Sequence, residues 1–168
     1  MARVFAGVGS NIDRERNIRA GMEAMRRDFG ELRVSPVYES RAVGFEGENF
    51  YNLVVEFRSA LPPAAIAGRL HDIERDCGRA RSPRKFEPRT LDLDLLLYDD
   101  VVCHDEGLSL PREDIMRFAF VLRPLSELAG NLRHPVSGRT FADLWSAFSD
   151  RGQELWPVNF DAVPVADH

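Results

Sequence analysis

With 168 residues, a net charge of −5 and 44% hydrophobic residues, the chain is sized for one globular domain, residues 1–168, that needs neither disulfides nor structural metals for stability. The acidic balance and the lack of a long basic tract argue against a nucleic-acid footprint. No apolar run approaches the ~20 residues of a membrane span and the opening MARVFAGVGS is not a secretory leader, so a soluble, cytoplasmic protein is expected.

Arg3 to Gly9 reads as a short strand that closes on Gly7 and Gly9. Asn11 or Asp13 is placed to cap a helix carrying Ile18, Met22, Met25 and Phe29 at helical spacing, with Gly30 as its stop. Leu32 to Ser40 reads as one strand; the loop RAVGFEGEN and a strand over Phe50 to Phe57 follow. Pro62 and Pro63 open a second helix whose apolar stripe is Ile66, Leu70, Ile73 and Cys77, with Gly78 placed to cap it. Beyond a basic loop come a strand over Thr90 to Tyr98, a turn at Asp99-Asp100 and a short return strand over Val101 to His104. Pro111 to Met116 reads as irregular, Phe120 to Leu128 and Phe141 to Phe148 as helices, and the tail after about Trp156 as loosely held. The order βαββαβ is that of an α+β, ferredoxin-like core, an antiparallel sheet with helices on one face, here with extra C-terminal helices. That order carries no function by itself.

Two stretches invite a chemical reading. GVGSNI, residues 7 to 12, resembles a glycine-rich nucleotide loop, but Ile12 stands where a third glycine is required, and a strand-ending turn accounts for both glycines. SPRKFEPRTLDLD is different. Residues i and i+2 of a strand share a face, so Asp92 and Asp94 project together while Leu91, Leu93 and Leu95 face the core. Two such carboxylates suit Mg²⁺, which takes oxygen ligands and is commonly completed by substrate phosphates. An ordinary amphipathic strand with its acidic side in water gives the same alternation. Against that plainer reading stand Arg79, Arg81, Arg84, Lys85 and Arg89 just upstream, because arginine presents a planar fork of donors to phosphate oxygens. Metal-binding carboxylates beside an arginine clamp are the parts of phosphoryl transfer. Cys77, Cys103 and the histidines at 71, 104, 134 and 168 show no metal-binding spacing, and Cys77 reads as a buried thiol.

PRTLDLDLLLYDD, together with GSN at 9–11, FYN at 50–52, IERDCGRAR at 73–81 and FVLRPLSELA at 120–129, resembles the 6-hydroxymethyl-7,8-dihydropterin pyrophosphokinases over most of the chain. The resemblance implies a monomer that transfers diphosphate from ATP to the pterin hydroxymethyl group and releases AMP. Asp92 and Asp94 would bind two Mg²⁺ ions bridging the ATP phosphates and act as catalytic residues with Arg79 and Arg89. Arg81, Lys85, Leu95 and Arg112 would complete the nucleotide site, with Glu74 nearby. Phe50 and Phe120 would sandwich the pterin and Asn52 would read its polar edge, while Ser40 and Val43 would meet it through backbone groups. RAVGFEGEN and RSPRKFEP would serve as lids.

The chain departs from the family pattern at Glu87, where a small residue is usual, at Arg112, where histidine is common, and at Phe118, where arginine is usual. SRAVG at 40–44 replaces a proline-containing stretch. These departures bear on ATP affinity and on the acceptor. Three readings stay open: the pterin pyrophosphokinase or a paralogue acting on another hydroxymethyl pterin, a binding domain without turnover, and a metal-dependent phosphatase or nucleotide hydrolase. AMP formed only with pterin, binding without turnover, and pterin-independent hydrolysis separate them.

Overall fold

The computed structural model describes residues 1–41, 47–78, 90–105, 107–149 and 152–162. Its elements in chain order are β1 (Ala2–Ser10), α1 (Arg14–Phe29), β2 (Arg33–Val34), β3 (Val37–Ser40), β4 (Phe50–Ser59), α2 (Pro63–Gly78), β5 (Asp92–Tyr98), β6 (Cys103–Asp105), β7 (Leu108–Leu110), α3 (Asp114–Arg117), α4 (Ala119–Ala129), α5 (Phe141–Ser146) and β8 (Leu155–Val158). The main sheet runs β5-β1-β4-β3-β8, with β2 also against β4, and every pairing is antiparallel. This is the ferredoxin-like order with one added edge strand.

The core helices α1 and α2 share one face of the sheet, as expected, and the extra C-terminal helices cover the other. On one face Val4, Ala6 and Val8 of β1 pack with Ile18, Met22 and Met25 of α1 and Ile66, Leu70 and Ile73 of α2. On the other, Phe5, Val54, Leu96 and Leu97 lie beneath Val121, Leu122 and Leu125 of α4 and Phe141 and Leu144 of α5. The C-terminal helices thus form a third layer, and β1, an interior strand between β5 and β4, is apolar towards both. Among the described residues no helix is long and apolar enough to cross a membrane.

The strand expected over Leu32 to Ser40 is split. Pro36 has no N–H to give the ladder, so the chain breaks pairing at Ser35-Pro36. Ser35 repairs the gap: its backbone N–H donates to the Val54 carbonyl at 2.9 Å, and its hydroxyl oxygen accepts the Val54 N–H at 2.9 Å. The return strand also differs from expectation: Cys103–Asp105 pairs with Leu108–Leu110 in a separate hairpin instead of with β5. The short α3 replaces part of the irregular stretch. The tail contributes β8, paired to β3, and Val158 and Phe160 pack against the core.

Candidate active site

The site is built on β5, an edge strand. Leu91, Leu93 and Leu95 point into the layer under α1 and α2. Strand alternation then turns Asp92 and Asp94 to the opposite face, towards α4. Between Phe5 and Ala6 the register with β1 shifts, with Phe5 opposite Leu97 and Ala6 opposite Leu95, so Leu96 is the extra residue of a bulge. Leu96 and Leu97 therefore both serve the layer under α4 and α5.

A cavity of about 200 Å³ opens where the aspartates face α4. Phe50, Asn52, Ser40 and Phe120 line it with Asp92 and Asp94. Asn52 is buried and its amide donates to the Ser40 hydroxyl at 2.8 Å, leaving a second N–H and the carbonyl oxygen for other partners. Ser40 thus enters the cavity wall through its side chain, where a role for its backbone groups was the expectation. Tyr51, the neighbour of Phe50, lies on the other face, under the Arg14 guanidinium at 4.0 Å and beside Phe160.

Gly7 and Gly9 also line the cavity. They sit inside β1, which continues to Ser10, and do not end it as expected. A Cβ on Gly9 would stand 3.2 Å from the Asn52 carbonyl oxygen, so glycine here makes room for the buried amide. On the far wall, the Phe120 ring stacks on Phe118 with centroids 5.0 Å apart and planes 19° from parallel. The helix carrying Phe120 is held to β3 by the Tyr38 hydroxyl, which donates to Glu127, and by Arg123, whose guanidinium lies 4.6 Å above the Tyr38 ring. Burial and Glu127 push the Tyr38 phenol up to about 12.

A second cavity of about 260 Å³ lies across the β5 edge, lined by Leu95, Arg112, His71, Ser109 and Asp94. Asp94 lines both. Arg112 follows the cis Leu110–Pro111 peptide, and its N–H donates to the Leu96 carbonyl at 3.0 Å. Its guanidinium lies 3.4 Å from Asp94 and 3.3 Å from Asp114. Burial pulls the Arg112 pKa down, but Asp94, Asp114 and Asp92 outweigh it and hold the guanidinium above its ordinary value. Glu74 does not reach into either cavity's lining. One of its oxygens accepts the Leu93 N–H at 2.8 Å and the other lies 3.0 Å from His71 Nδ1, so it fixes the backbone between the two aspartates.

Among the described residues no three His, Cys, Asp or Glu side chains converge on a metal position. Asp92 and Asp94 are a two-carboxylate set, which suits a hard cation whose remaining ligands come from phosphates and water. Arg79, Arg81, Lys85 and Arg89, together with Val43 and Glu87, lie outside the described residues, as do most of both expected lids. Asp114, His71 and Gly9 belong to the site and were not singled out from sequence as site residues. Their neighbours here come from elements far apart in the chain, and no local pattern marks them.

The chain matches the family described as 7,8-dihydro-6-hydroxymethylpterin-pyrophosphokinase (HPPK) over residues 5–130. It is 36% identical over 159 residues to the 2-amino-4-hydroxy-6-hydroxymethyldihydropteridine pyrophosphokinase of Pseudomonas aeruginosa, covering 92% of this chain and 97% of that one. With the protein of the same name from Aquifex aeolicus it shares 35% identity over 138 residues, 81% of this chain and 86% of the other. Among solved structures it is similar to Plasmodium falciparum HPPK-DHPS, with a TM-score of 0.70 and 12% identity over 86% of this chain. It spans only 43% of that longer chain, and at such identity the likeness speaks for the fold alone.

Proposed function

We propose, from the premise that the chain belongs to the 7,8-dihydro-6-hydroxymethylpterin-pyrophosphokinase family, that it transfers diphosphate from ATP to the hydroxymethyl group of 6-hydroxymethyl-7,8-dihydropterin. AMP is the second product, and the step belongs to folate synthesis. The observation that carries the reading is the position of Asp94, which lines two cavities of different character. The aromatic one takes the pterin and the one with Arg112 and Leu95 takes the nucleotide, so the reacting groups meet at the aspartates.

Phe50 and Phe120 offer faces for a flat heterocycle. Asn52 offers its free N–H and carbonyl to the ring's polar edge. Arg112, with the arginines of 79–89, meets the phosphates. Asp92 and Asp94 would hold Mg²⁺, two ions by family resemblance, which supplies charge neutralisation on the phosphate oxygens when bound. The pterin hydroxyl oxygen forms a bond to the β-phosphorus, the bond from that phosphorus to the AMP oxygen breaks, and the hydroxyl proton is released. No protein nucleophile takes part, and the residues contribute position and charge. The resemblance carries with it a monomer working in the cytoplasm on two small-molecule substrates.

Product analysis with ATP, Mg²⁺ and 6-hydroxymethyl-7,8-dihydropterin tests the reading. AMP and pterin diphosphate are expected in equal amounts, and both are lost in Asp92→Ala. AMP or phosphate formed without pterin, or pterin binding with no turnover, would overturn it.

A further inference from the structure

The segment 152–158 lies outside the stretch that matches the family, yet it is bonded to two elements that carry lining residues of the aromatic cavity, β3 and the start of α4. On one side β8 pairs with β3, placing Leu155 opposite Ser40, whose hydroxyl receives the Asn52 amide. On the other side stands Gln153. Its carbonyl oxygen accepts the Ala119 N–H at 2.8 Å and its NH₂ donates to the Arg117 carbonyl at 2.9 Å. These two backbone groups flank Phe118, where α3 stops and α4 starts with an extended residue at φ −121° and ψ 124°.

A helix break leaves backbone donors and acceptors without helical partners. A single glutamine amide, holding one donor and one acceptor side by side, satisfies one of each across this break. Phe118 is thereby fixed in the chain direction, and its ring backs Phe120 in the stack described above. By the resemblance noted above, Phe118 stands where arginine is usual, so the ring behind Phe120 is a feature of this sequence. We infer that Gln153 is a positioning residue for the pterin: by bridging Arg117 and Ala119 it sets the Phe118–Phe120 stack and so the width of the aromatic cavity, while β8 holds the opposite, Ser40–Asn52 side. The inference rests on the proposed placement of the pterin between Phe50 and Phe120.

The test compares the full chain with Gln153→Met, which keeps the reach and loses both hydrogen bonds, and Gln153→Glu, which keeps the acceptor for Ala119 alone. Binding of 6-hydroxymethylpterin and of a non-hydrolysable ATP analogue with Mg²⁺ is titrated separately, with Phe120→Ala as control. Two neutral hydrogen bonds set the scale, so Gln153→Met is expected to weaken pterin binding about tenfold and Gln153→Glu by less, with nucleotide affinity unchanged. Weakening of both ligands in parallel with a lowered melting temperature marks a merely structural role and overturns the inference. Unchanged pterin affinity in both Gln153 variants, with Phe120→Ala still weakened, overturns the brace alone. Unchanged affinity in Phe120→Ala overturns the pterin placement and the brace with it.

Discussion

Arg112 holds Asp94 at 3.4 Å, a cation already standing beside one of the two carboxylates proposed to bind metal. The same guanidinium contacts Asp114 and is more than a third exposed, so each pairing is softened by solvent. A divalent ion approaching Asp94 meets like charge unless polyphosphate draws the guanidinium away. In Arg112→Ala, Mn²⁺ titrated without nucleotide should bind the protein about threefold more tightly, while the KM for the metal–ATP complex rises. Electron paramagnetic resonance of free Mn²⁺ reads the first effect and steady-state kinetics the second; Mn²⁺ affinity equal to or below that of the parent would discard the idea.

Glu74 reaches the aspartates through the backbone. Replacing it with leucine leaves the Leu93 N–H without its acceptor and loosens the spacing of Asp92 and Asp94. A misplacement of the reacting groups by a fraction of an ångström is enough to lower kcat about tenfold. Glu74→Gln, whose carbonyl oxygen can still accept from Leu93, should recover most of the rate. Equal losses in both variants would instead assign the effect to the carboxylate's charge.

Ser35→Ala bears on the fold and not on the chemistry. Ser35 is 4% exposed, and its hydroxyl is the acceptor for a buried Val54 N–H. Leaving that donor unpaired is expected to cost about 1–3 kcal/mol in urea unfolding. The KM for either substrate should stay the same at temperatures where the variant remains folded.

His134 gives a pH prediction. Its Nδ1 accepts the N–H groups of Val136 at 3.2 Å and Ser137 at 3.1 Å, and burial holds its pKa below 6.5. With the folded pKa depressed, the unfolded chain binds more protons between that value and about 6.5, so this contribution is full above about pH 6.5 and fades as pH falls towards the folded pKa. Protonation also turns the acceptor into a donor facing two donors. Urea midpoints at pH 7.5 and 5 should therefore differ less for His134→Asn, which offers an oxygen at every pH, than for the parent chain.

Much of the site follows from two-residue alternation. Asp92 and Asp94 share a face because strand period is 2, and the same rule turns Tyr51 away when Phe50 faces the cavity. The helices α1 and α2 follow from their apolar stripes and flanking glycine and proline. Other features depend on partners distant in sequence. Nothing near Gly9 announces that Asn52 will need its space, and nothing near Arg112 announces Asp94. A helical stripe shows that α4 and α5 have an apolar side but not which face of the sheet will receive it. The break at Ser35-Pro36 is marked locally by the proline, whose missing N–H outweighs the β-rich composition around it.

The additional residue at Leu96 lets β5 change its allegiance halfway along. Were the same residues paired without the bulge, strict alternation would keep Leu96 on the carboxylate face and send Leu97 back under α1 and α2. With it, one side of a seven-residue strand is wet and anionic at its start and oily at its end. Deleting Leu96 would leave Leu95 opposite Ala6 and Leu97 opposite Phe5 in an unbroken ladder, so the cost would fall on the layer under α4 and α5, which would lose one leucine. Because Leu96 also lines the aromatic cavity, losing it would act on the pocket and on the packing together, although no catalytic side chain had been altered.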